Sequence, residues 1–360
     1  MNRFYLLCTF VLSGWGLWSQ VAFGGAVVNY QMVPVGDPGN ANSNYGYGEV
    51  AYEFQIGKFE WTNGDYVAFL NAVDPDGTNQ SSLYNYKGPS YQYSSAMGRP
   101  GWGGISFDAS KPTGSKYGLL PYMGNKPVNY INWFHAARVA NWMHNGAQSY
   151  ATSALGAVAI DDGAYKLNFA TSGTTPTKNA GARFWIPTEN EWFKAAYYKA
   201  GGVNAGYWLT AFRDDSTPQG AYATSTGDGY PATPHLARIT ANYNYAASWS
   251  GGYMITVGTS GGVASPYGTY DQTGNVMEWV DVGSSSSQVI RGGGFAHHGG
   301  WIMSYNRTVL DPASDYMDYG FRLASTYQSP SGGEVPEPST LLIGTLFGLG
   351  GVLGKRRLKK

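Results

Sequence analysis

Cysteine is almost missing from this chain of 360 residues, since the single one is Cys8. A lone cysteine excludes any disulfide within the chain, and past residue 8 there is no thiol to act as nucleophile, thiolate metal ligand or redox partner. Charge is scarce as well: 13% of residues are charged, and 23 basic residues cancel 23 acidic ones. No basic field exists to attract nucleic acid, so that class of partner is set aside. Also missing are a phosphate-cradling glycine loop, a Ser-His-Asp order and a close pair of acids at a persuasive spacing.

What the chain does have is 51 Gly, 29 Tyr and 12 Trp. Turns are therefore frequent, and many rings keep a polar edge near water, which suits a loop-rich extracellular fold. Arg3 followed by the uncharged apolar run Phe4 to Trp18 and then Ala22-Phe23-Gly24 predicts a signal peptide over 1–26, cut by signal peptidase near Gly24 to Ala26. An uncleaved anchor is the alternative. Removal of the leader would remove Cys8, and a core of about 300 residues is large enough to hold without disulfides.

At the other end, residues 329–360 carry a flexible Ser331-Gly332-Gly333 linker, the motif Val335-Pro336-Glu337-Pro338, an apolar stretch from Ser339 to Gly354 and the basic end Lys355 to Lys360. This order resembles the PEP-CTERM sorting tail, which implies recognition by an exosortase during export. Thr340 to Leu353 is shorter than the roughly 20 residues that span a bilayer comfortably, and the basic cluster would stay on the cytoplasmic side. The expectation is a short transmembrane segment with transient inner-membrane association, or in the alternative a plain C-terminal anchor. Both ends together place the protein at the cell envelope, outer surface or extracellular matrix of a Gram-negative-type bacterium.

Between the ends the sequence predicts three short helices. Thr62 caps one from Asn63 to about Val73, with Tyr66, Phe69, Leu70 and Val73 on one face and Asp74-Pro75-Asp76-Gly77 as its stop. A second follows Asn132, with Trp133, Ala136, Ala137, Ala140 and Met143 inward. The third opens on a capping box from Thr188 to Glu191 and buries Trp192, Ala195 and Ala196. Ser81 to Gly124 and Ala147 to Lys178 read as long loops.

Six segments then stand in a fixed order: Tyr52 to Asn63, Lys126 to Trp133, Arg183 to Trp192, Tyr267 to Trp279, Arg291 to Phe295 and Gly320 to Arg322. This series resembles the formylglycine-generating enzyme family, also called the sulfatase-modifying factor family, across 27–328. The resemblance implies an α+β fold of the irregular C-type-lectin-like kind, loop-rich with a few short helices. It also implies a structural calcium held by the side chains of Asp271 and Glu278 and the carbonyls of Gly274 and Val276. Two acids and a tight glycine turn suit a cation that prefers six to eight oxygen ligands. Equally, Asp271 could cap the turn and Glu278 pair with an arginine.

Catalytic members of that family carry two copper-binding cysteines after the Arg-Gly-Gly motif, and the matching positions here are His297 and Ile302. One imidazole and one aliphatic side chain cannot make a two-thiolate copper site. Adjacent His297 and His298, if on a strand, would point to opposite faces. Met277 also stands where the family motif has tryptophan. Arg291, Arg307 and Arg322 suit either an anion-binding groove or ion pairs with Asp311, Asp315 or Asp318. The expected function is a non-catalytic exported binding or structural domain, with extracellular polysaccharide as the ligand class its aromatic rings suit. The alternative is a metal-dependent oxidase or protein-modifying enzyme of the same family.

Overall fold

The computed structural model describes residues 28, 30–85, 97–230, 240–260 and 263–326. The expected signal peptide and sorting tail, including the apolar stretch from Thr340, lie outside the described residues. Within them, no helix is long and apolar enough to cross a membrane.

Four helices occur among the described residues: α1 (Asn63–Val73), α2 (Trp133–His144), α3 (Ser153–Ala159) and α4 (Glu189–Tyr197). The strands of the first half are β1 (Met32–Val35), β2 (Phe54–Gly57), β3 (Ile105–Phe107), β4 (Tyr117–Leu119) and β5 (Phe184–Trp185). They are followed by β6 (Gln219–Gly220), β7 (Tyr222–Ala223), β8 (Gly229–Tyr230), β9 (Thr240–Ala241), β10 (Met277–Val280), β11 (Gln288–Arg291), β12 (Thr308–Leu310), β13 (Tyr319–Gly320) and β14 (Ala324–Thr326). Short helices, short strands and much loop make this the α+β, C-type-lectin-like architecture that was expected.

Caps set the helix starts. The Thr62 side chain accepts from the Asp65 backbone N–H, and the Asp74 N–H closes α1 on the Leu70 carbonyl. Capping boxes open α2 (Asn132 with His135) and α4 (Thr188 with Glu191). From Trp133 to Met143 every residue of α2 is buried, so this helix runs through the core instead of lying on it. Each large ring shut away there contributes about 2–3 kcal/mol of transfer free energy. Two of the expected loops contain structure: β3 pairs with β4 inside the first, and α3 forms inside the second. Gly156 of α3 shows how α3 docks, because a Cβ there would stand 1.8 Å from the Val73 carbonyl oxygen at the end of α1.

One sheet has the order β1-β2-β14-β5, all antiparallel, and another the order β12-β11-β10-β13, with β10 and β13 parallel. Ile56 faces Ala324 across the first sheet, so the two sequence ends of the fold are neighbours. That pairing brings Arg322, just before β14, onto the carbonyls of Gly57, the last residue of β2, and Lys58, the next.

Candidate functional site

The β10 strand carries Glu278 into the interior, where it is fully buried. Arg322 meets it with two parallel bonds, Nε to Oε2 at 2.6 Å and Nη2 to Oε1 at 2.7 Å, and the Trp192 indole N–H adds a third at 2.8 Å. Burial works against the guanidinium, yet Glu278 beside it holds the Arg322 pKa above its ordinary value. Glu60, from the segment after β2, accepts from the Val276 N–H and the Asn275 amide. Burial first, then the charges of Asp271 and Glu278, raise the Glu60 pKa well above the carboxylate range. Asp271 is buried in turn and accepts from the Gly258 N–H and the Ser260 hydroxyl.

Calcium can be weighed against this arrangement. Of the four expected ligands, Glu278 has both oxygens committed to Arg322 and Trp192, and Asp271 has both committed to Gly258 and Ser260. Two carbonyls, of Gly274 and Val276, fall short of the six to eight oxygens calcium prefers. As arranged, these residues do not fit the ion. No group of three or more acidic or imidazole side chains converges on a metal position elsewhere among the described residues.

The remaining arginines were assigned the wrong acids by sequence. Arg291 and Arg307 do not pair with Asp311, Asp315 or Asp318; both converge on Glu189 at the start of α4. Arg307 grips that carboxylate bidentately, and the Tyr47 ring stacks under both guanidiniums. An acidic residue in a first helical turn is stabilised by the helix dipole, which gave a sequence signal for Glu189, but nothing in the sequence linked it to residues 102 and 118 positions away.

The turn after Arg291 holds His297 and Ile302, the positions that the family resemblance sets against its two cysteines. Ile302 is fully buried in a small apolar cluster with Phe212, Ala241 and Met303. His297 sits on a bend instead of a strand, so the opposite-faces expectation for it and His298 does not apply: both rings pack against Trp301, at 5.0 Å and 6.2 Å. His298 Nε2 accepts from the Trp301 indole N–H at 2.9 Å. His297 Nδ1 lies 2.9 Å from Oδ2 of Asp318, a residue with no solvent exposure. The contact is close but poorly aligned, and both Asp318 oxygens lack a well-directed donor among the described residues. Gly294 lets the carboxylate in, because a Cβ there would stand 2.5 Å from Oδ2.

The His297 side chain is 22% exposed and turns its Nδ1 inward to the acid. It offers no sulfur for copper. A small recess lined by Asp74, Ser81, Leu83, Ser153 and Ile160 is built from α1 and α3 and plays no part here.

Residues 41–327 match the family model FGE-sulfatase, the sulfatase-modifying factor enzyme 1-like domain. The chain belongs to that family. Similar solved structures include Treponema denticola variable protein 1 (19% identity, 83% of this chain and 95% of that one, TM-score 0.42). CarF is similar at 18% identity over 83% and 99% of the two chains, with TM-score 0.42. PvdO from Pseudomonas aeruginosa follows at 16% identity over 83% and 92%, also at TM-score 0.42. No curated protein matches the chain. Sulfatase-modifying factor membership accounts for the six ordered motifs, whereas the chemistry at His297 and Ile302 has to be argued from those residues themselves.

Proposed function

We propose that this sulfatase-modifying factor domain is a non-catalytic binding module, exported and displayed at the bacterial envelope, outer surface or extracellular matrix, with extracellular polysaccharide as its ligand. The observation that supports this most is Ile302: the position of the second family cysteine is sealed in an apolar cluster, not merely changed at a surface. Export rests on the two chain ends, handled by signal peptidase and an exosortase. Partly exposed aromatic rings, among them Tyr45, Tyr245, Tyr305 and Tyr316, supply apolar faces beside hydroxyl groups, a pairing that suits sugar rings.

The direct test is to incubate the purified, leader-free protein with copper, oxygen and a cysteine-containing sulfatase peptide and to analyse the peptide by mass spectrometry. The cysteine should return unchanged. Conversion to an aldehyde would restore the family's enzymatic role and end this proposal.

A further inference from the structure

Both oxygens of the buried Asp318 carboxylate lack a well-directed donor among the described residues. Removing a carboxylate from water costs several kcal/mol unless partners replace the lost hydration, yet the nearest is one imidazole nitrogen at 2.9 Å. Its effect falls on His297. In the neutral ring, Nδ1 facing the acid carries the proton, which leaves Nε2 as the acceptor.

Beside it stands Trp301, partly exposed and fixed in orientation by its bond to His298. Asp318 also influences the exposed Tyr245, whose hydroxyl pKa is raised by burial first and by this charge second. His297 therefore has a partly exposed indole beside it, the exposed Tyr245 ring on the neighbouring segment, and the buried Asp318 carboxylate behind its Nδ1.

This combination narrows the ligand class. An anion would find Arg291 and Arg307, the two arginines that flank this turn, already held by Glu189. A metal ion would find no trio of ligating side chains among the described residues. A hydroxyl donor attached to an apolar ring face meets both the nitrogen and the indole.

We infer that Trp301 and His297 form a subsite for one pyranose ring of a polysaccharide, with Asp318 as the residue that positions the imidazole. The sugar's C–H face stacks on the indole, and one ring hydroxyl donates to His297 Nε2. This subsite rests on the binding function proposed above, and its test separates the two.

The purified full-length protein is run through affinity gels containing a soluble α-glucan, a soluble β-glucan or alginate, alongside W301A, H297A and D318N. At least one polymer should retard the native protein, and W301A and H297A should each weaken that apparent affinity by about tenfold or more. Melting temperatures of W301A should stay near native, which separates lost contact from lost fold. For Asp318 the informative signal is the imidazole 15N spectrum of His297: one Nδ1-protonated tautomer in the native protein, a mixture in D318N. Retardation that survives W301A and H297A overturns the subsite and leaves the ligand proposal standing. No retardation by any of the three polymers overturns both.

Discussion

Glu278 and Asp318 are both fully buried acids, and they stand on adjacent, parallel strand segments: Glu278 in β10, Asp318 immediately before β13. Their surroundings differ sharply. Glu278 takes three well-directed donors from Arg322 and Trp192, whereas Asp318 has one imidazole in poor alignment. The first is a saturated pair whose removal would damage the fold. The second is a close contact without good alignment, beside the turn that carries His297 and Ile302. A buried acid with its donors in place anchors the elements it joins, and one short of donors acts mainly on the single group that faces it.

Breaking the saturated pair should therefore have the largest effect. Arg322→Met leaves Glu278 charged and unpaired in the interior and should cost roughly 3–5 kcal/mol of stability, enough to unfold a typical domain partly at room temperature. Replacing both partners, as Arg322→Met with Glu278→Leu, should recover part of that loss, because an apolar pair of similar volume has no charge to desolvate. Urea denaturation measures both. Equal stability of Arg322→Met and the native protein would show that the pair contributes nothing and that the contrast with Asp318 is false.

Asp318→Asn should behave otherwise. It removes a buried charge that has almost no donors, so stability should hold or rise, by about 1–3 kcal/mol at most. The same urea titration reads it. A loss comparable to that of Arg322→Met would mean that Asp318 is a scaffold residue and that His297 is merely its partner.

How far the sequence carried these conclusions depends on the range of each interaction. The starts of α1, α2 and α4 were legible because caps lie within three residues of Thr62, Asn132 and Thr188. α3 was missed: Ser, Ala and Gly fill most of its length, and it owes its place to Gly156 closing on Val73. Strands of two residues, such as β6 to β9, are too short to show an alternation. The arginine partners are set by contacts across 44 to 118 positions, and no local pattern encodes them. At the candidate site, the order of motifs pointed to His297 and Ile302, but the place of Asp318 beside His297 depended on β13 lying next to β10.

The smallest expected effect concerns calcium. The family resemblance supplies Asp271, Gly274, Val276 and Glu278 as ligands, but the pair Glu278–Arg322 already neutralises the strongest of them. An ion bound at 100 times its dissociation constant would stabilise the fold by about 2.7 kcal/mol. In a domain of this size that corresponds to a rise of roughly 5–10 °C in melting temperature if about 2–4 °C accompanies each kcal/mol. Titrating millimolar calcium into chelator-treated protein should instead move the midpoint by less than about 1 °C. A rise of several degrees, abolished by Asp271→Asn, would mean that Arg322 swings away to release Glu278 and that the two buried acids are less different than their hydrogen bonds suggest.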